Sequence, residues 1–73
     1  MLSGRIKNLH HTNNKMFATI EYDDGNKLIF YDARSNNEYI NDEFSIGEKV
    51  YFEEKITRFG TEATNLFKMI DEI

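Results

Sequence analysis

The 73-residue chain has no cysteine, no proline and no tryptophan, and it holds no apolar run long enough for a membrane span or a signal peptide. Without cysteine, disulfides and thiolate zinc sites are excluded, so the fold must stand on its apolar core alone. This suits a reducing compartment, and the chain reads as soluble and cytoplasmic. The absence of proline identifies nothing. Catalytic signatures are also missing: there is no Ser-His-Asp spacing, no nucleotide-binding glycine loop and no carboxylate pair in an apolar setting. The expectation is that the protein is not an enzyme. His10-His11 suggests a metal, but adjacent residues of an extended segment diverge and no third ligand completes a set. Asp23-Asp24-Gly25-Asn26 lacks the later ligands and terminal Glu of a calcium loop, and a turn explains it. No metal, cofactor, small-molecule substrate or membrane partner is expected.

Chain length sets a further bound, because a domain this small buries only roughly 60% of the surface its unfolded chain exposes. Residues 1–73 are expected to form one domain with no deep, water-excluding cleft. The formal charge of -4 works against indiscriminate attachment to phosphate-rich surfaces. Charge placement matters more than the total, however. Arg5, Lys7 and Lys15 lie in the first fifth of the chain, whereas Glu38, Asp42, Glu43, Glu48, Glu53, Glu54, Asp71 and Glu72 lie in the second half.

Strand signals dominate what is present: short runs rich in Ile, Val, Phe, Tyr and Thr, bounded by Gly, Asn, Asp or Ser. Five strands are predicted, near residues 4–9, 15–22, 27–32, 49–56 and 63–68. His10 to Asn14 reads as a polar link, and Asp24-Gly25 as a two-residue type I′ hairpin turn. From Ala33 to Gly47 the chain reads as a long crossing loop with one helical turn. The predicted core is Ile6, Ala18, Ile20, Ile29, Val50, Phe52, Thr64 and Leu66, with Phe44 or Ile46 plugging one end. Closing five short strands into a barrel would also remove edges prone to aggregation. On the central hairpin, alternation puts Ala18, Ile20 and Ile29 on one face and Phe17, Leu28 and Phe30 on the other. A small chain cannot cover both faces, so the second is a candidate binding surface.

In this order, the segments resemble the cold-shock domain, a five-stranded member of the oligonucleotide/oligosaccharide-binding (OB) barrels. Gly4-Arg5-Ile6-Lys7 is similar to the family's opening. Lys15 to Ile20 looks like its K-G-F-G-F-I motif, and Leu28 to Tyr31 stands where F-V-H-F would fall. Gly47-Glu48-Lys49-Val50-Tyr51-Phe52 and Gly60-Thr61-Glu62-Ala63-Thr64-Asn65-Leu66 resemble the family's fourth and closing strands. The departures fall on the binding face: Asn8-Leu9 replaces a Trp-Phe pair, Thr19 a Phe, and Phe30 a His.

The resemblance implies an all-β, five-stranded antiparallel OB-fold barrel that binds single-stranded RNA or DNA, with a role as an RNA chaperone. It places Phe17, Phe30 and Tyr31 at base-stacking positions, and strand alternation independently puts Phe17 and Phe30 outside. Three stacked bases would supply a gross ~3–9 kcal/mol, and the loss of the Trp position to Asn8 points to micromolar binding, about -8 kcal/mol. Lys7 and Lys15 would contact phosphates. Rim contacts are assigned to Arg5, Asn8, Thr19, Leu28, Arg58 and Phe59, and loop packing to Tyr39. The alternative is a barrel that has lost nucleic-acid binding and uses its apolar face for protein contact or a weak homodimer, with the tail Phe67-Met69-Ile70-Ile73 as another cover for that face.

Overall fold

The computed structural model describes residues 2–12, 15–25, 27–33 and 44–68, with the side chains of Thr12 and Lys15 outside the description. Its five strands are β1 (Leu2–Thr12), β2 (Lys15–Tyr22), β3 (Leu28–Asp32), β4 (Lys49–Thr57) and β5 (Gly60–Lys68). They close into a barrel in the order β1-β2-β3-β5-β4. Four of the five contacts are antiparallel, and the fifth is a short parallel pairing of Phe30 with Glu62 and Tyr31 with Ala63. This is the five-stranded OB-type barrel expected from the sequence. Among the described residues no helix is long and apolar enough to cross a membrane. Residues 34–43, most of the segment in which a helical turn is expected, and the tail beyond Lys68 lie outside the described residues.

The largest departures from the expected strand boundaries are the end of β1 and the start of β5. β1 runs on through His10-His11-Thr12, because each of these residues keeps a partner on β2, down to Thr12 opposite Lys15. β5 begins at Gly60, whose φ of 117° suits glycine and closes a tight hairpin after Arg58-Phe59. There the Thr57 hydroxyl accepts from the Phe59 N–H and donates to the Gly60 carbonyl. The β2–β3 turn is not type I′, since among the described non-glycine residues only Asn65 has a positive φ. Instead the Gly25 N–H donates to the Tyr22 carbonyl (2.8 Å), Gly25 takes φ 76°, and the Tyr22 N–H reaches the Lys27 carbonyl (3.0 Å).

Gly4 has a different justification, because β1 is flanked there on both sides, by Tyr22 of β2 and Val50 of β4. A Cβ at this position would lie 2.2 Å from the Glu21 carbonyl oxygen. No side chain fits without moving backbone.

The barrel interior holds Ile6, Met16, Ala18, Ile20, Ile29, Tyr31, Val50, Phe52, Ala63 and Leu66, with Ala33 and Phe44 adding to the same cluster. Phe44 is the plug and Ile46 is exposed, which settles the pair predicted from the sequence. Thr64 is a correction: the core position on β5 is Ala63, and Thr64 is only half-buried. The cause is a β-bulge, where Tyr51 pairs with Phe67 but Glu53 pairs with Thr64, so Asn65 and Leu66 together face Phe52. Asn65 absorbs the extra residue in the left-handed region at φ 53°, a conformation Asn tolerates better than most residues.

A second bulge lies in β1. Ile6 pairs with Ile20 while Asn8 pairs with Thr19, leaving Lys7 as the extra residue. Before the bulge Gly4 and Ile6 point inward; after it the inward position passes to Leu9, which packs against the core. Asn8 and His10 are thereby turned outward.

Candidate nucleic-acid interface

Residues directly opposite in a sheet share a face, so the register builds the outer surface of β1-β2-β3 in rows. One row is Arg5, Glu21 and Leu28; the next is Asn8, Thr19 and Phe30; the third is His10, Phe17 and Asp32. Asn8, Leu9, His10, Phe17, Ala18, Thr19 and Phe30 line a shallow, mainly apolar groove across these rows. Phe17 and Phe30 sit diagonally, with ring centroids 6.3 Å apart and planes at 30°. The His10 ring lies 6.2 Å from Phe17 at 46°. Three rings thus stand in sequence across three strands.

Of the residues predicted to stack, Phe17 and Phe30 stand on this face, with Phe30 44% exposed. Tyr31 is a correction. Alternation does not lapse at the end of β3, and Tyr31 is fully buried in the barrel, so its ring offers no face to a ligand. His10, assigned to a loop by its polar neighbours, takes the third place instead. Two apolar residues three apart, Ile6 and Leu9, were the sequence signal for the bulge that puts it there.

Charges on this face are mixed. Lys7, on the bulge, is exposed and ion-paired with Glu21 at 3.8 Å, and both side chains are open enough to water for the pair to be worth ~0–1 kcal/mol. Arg5 donates from Nη1 to the Gly47 carbonyl at 3.0 Å, which ties it to the approach to β4. Lys15 occupies the first position of β2, and its side chain lies outside the described residues. Glu21 and Asp32 interleave with these cations, so the basic patch is not continuous.

Among the rim residues, Asn8 and Thr19 line the groove, and Leu28 is exposed one row beyond Phe30. Arg58 and Phe59 do not line it. They form the tip of the β4–β5 hairpin, where Ile56 and Phe59 are 89% and 87% exposed, because β4 outruns its β1 partner after Phe52. By the parallel register of Phe30 with Glu62 this tip lies on the Leu28 side, away from His10. Tyr39 lies outside the described residues.

A second recess opens beside the β2–β3 turn, lined by Tyr22, Lys27, Leu28, Ile29, Glu54 and Thr61. The Tyr22 hydroxyl donates to the Glu54 carboxylate, and the Lys27 ammonium stands 5.6 Å from the centre of the Tyr22 ring. Burial, then the bond to Glu54 and the negative charges of Glu54 and Asp24, push the Tyr22 hydroxyl up to about 12. At neutral pH it is a proton donor. Its carboxylate partner makes this recess unattractive to phosphate.

Compared with family models and with curated proteins, the chain matches none. What fold and surface define is a class: a closed, five-stranded OB-type barrel with an aromatic groove on its β1-β2-β3 face.

Proposed function

We propose that this protein binds single-stranded RNA or DNA on the groove, with little sequence preference, by stacking bases on Phe17 and Phe30. The observation that carries the reading is this pair of rings, 6.3 Å apart on the outside of a barrel whose interior is already filled by other residues. Aromatic faces accept any base, and OB barrels present the corresponding strands to oligonucleotides. The cold-shock resemblance of Lys15 to Ile20 and Leu28 to Tyr31 supports the same surface. With Tyr31 inside, two rings supply a gross ~2–6 kcal/mol, which with phosphate contacts suits micromolar affinity, about -8 kcal/mol. Lys7 and Lys15 follow the backbone, with Arg5 at the edge. About three such contacts give a slope of roughly -2 in log affinity against log salt, at about -0.7 per phosphate. Weak, sequence-indifferent binding in the cytoplasm fits an RNA chaperone.

The test is an amide NMR titration with short oligo-U and oligo-dT at two salt concentrations. Shifts should cluster at Lys7, Phe17 and Phe30 and weaken with salt. A Phe17→Ala/Phe30→Ala double variant should stay folded and lose at least tenfold in affinity; undiminished binding by that variant would reject the site. The extreme exposure of Ile56 and Phe59 favours a second reading, an association surface for another protein or a second copy of this chain. Sedimentation that shows concentration-dependent association and no oligonucleotide response would establish it.

A further inference from the structure

We infer that His10 is a third base-stacking ring, and that His10, Phe17 and Phe30 hold three consecutive, splayed nucleotides of one strand, one base to each ring. The inference rests on the nucleic-acid reading of the groove, and three observations lead to it.

First, the β1 bulge re-aims this side chain. Uninterrupted alternation from Ile6 would send His10 into the barrel; the extra residue at Lys7 turns it out, opposite Phe17. Bulges are over-represented beside functional sites because they redirect a side chain in this way. Second, the imidazole is exposed and lines the same groove as the two phenyl rings, and among the described residues its ring contact is with Phe17. A planar, conjugated ring there can stack on any base.

Third, the spacing selects the form of the ligand. Bases stacked on one another along a duplex strand repeat at about 3.4 Å. The rings repeat at 6.2 and 6.3 Å and turn by 46° and 30° from one to the next. Adjacent bases cannot remain stacked on each other and also meet these rings. Unpaired bases splayed from an extended backbone can, which is how single strands are read. The site therefore takes three nucleotides in a row and rejects a duplex.

The experiment compares fluorescence-anisotropy affinities of the wild type, His10→Ala, His10→Phe and Phe17→Ala for dye-labelled oligo-dT and oligo-U of six nucleotides. Amide spectra serve as the check on folding. His10→Ala is expected to weaken binding about tenfold, within the range of one lost stacking contact, and His10→Phe to bind as tightly as the wild type. Three results would overturn the inference. If His10→Ala binds like the wild type while Phe17→Ala is weakened, His10 is not a platform and the groove reading survives. If His10→Phe is as weak as His10→Ala, the imidazole acts through a hydrogen bond and not through its plane. If the wild type binds neither oligonucleotide, the inference and the groove reading fall together.

Discussion

Among the described residues the barrel contains two bulges; each brings a residue to the core, and one of them also leaves a ring on the surface. In β5, Asn65 takes the extra residue and sends Leu66 into the core, while its own amide donates to Glu53 at 2.7 Å. In β1, Lys7 takes the extra residue, which turns Leu9 toward the core and also sends His10 out of the barrel, to stand against Phe17. The β5 bulge finishes the interior and ties off its own polar groups. The β1 bulge leaves a ring on the surface that the fold itself does not require. A feature whose removal would cost the barrel little, set beside two other exposed rings, is where a ligand is best sought.

The largest effect that would sharpen this contrast is on stability. Leu66→Ala should cost about 2–5 kcal/mol, because it empties a filled interior position, whereas His10→Ala should change stability by no more than ~0.5 kcal/mol. Urea unfolding of the two variants checks both; equal losses would mean that the fold depends on the His10 ring as much as on the Leu66 side chain.

A smaller effect concerns backbone strain. Asn65→Val places a β-branched residue at φ 53° and should cost about 1–2 kcal/mol, while Asn65→Gly, which adopts that φ freely, should cost less despite losing the bond to Glu53. The ordering of their thermal midpoints is the measurement, and oligonucleotide affinity should be the same in both. Lys7→Ala should leave the midpoint within a degree or two and make the salt slope shallower by about 0.7, one phosphate contact.

The smallest effect lies at the recess, away from both bulges. Because the folded state raises the Tyr22 hydroxyl above its ordinary value, Tyr22 contributes stability that is fully present below pH 10 and is lost as the pH rises toward about 12. Wild-type stability should therefore fall more steeply over that interval than that of Tyr22→Phe, as followed by urea titrations at fixed pH. Parallel curves would show that burial and the bond to Glu54 do not hold the proton on Tyr22.

Much of this was legible in the chain because period-2 alternation survives wherever a strand is regular. β2 and most of β3 and β4 could be read directly, and with them the inward Ala18, Ile20 and Ile29 and the outward Phe17 and Phe30. Alternation misleads where one residue is inserted, since a single-residue slip exchanges the faces of everything beyond it. That is why alternation back from Leu66 points to Thr64 and not Ala63, whereas His10 reads as a loop residue because its neighbours His11 to Asn14 are polar. Both bulges leave the same trace, core residues spaced by three: Ile6 to Leu9 and Ala63 to Leu66. Tyr31 differs for another reason: family likeness places it outward, whereas alternation along β3 places it inward, where it is buried.

By itself the sequence determined an all-β chain, its five strands and the inward places of Ile6, Ala18, Ile20, Ile29, Val50, Phe52 and Leu66, because these follow from local periodicity and turn chemistry. The closure of β3 against β5, the choice of Phe44 over Ile46 as plug and the assembly of His10, Phe17 and Phe30 into one row of rings were decided only in the folded barrel. These depend on register between strands distant in the chain, and register is set by how all five strands close around one filled interior.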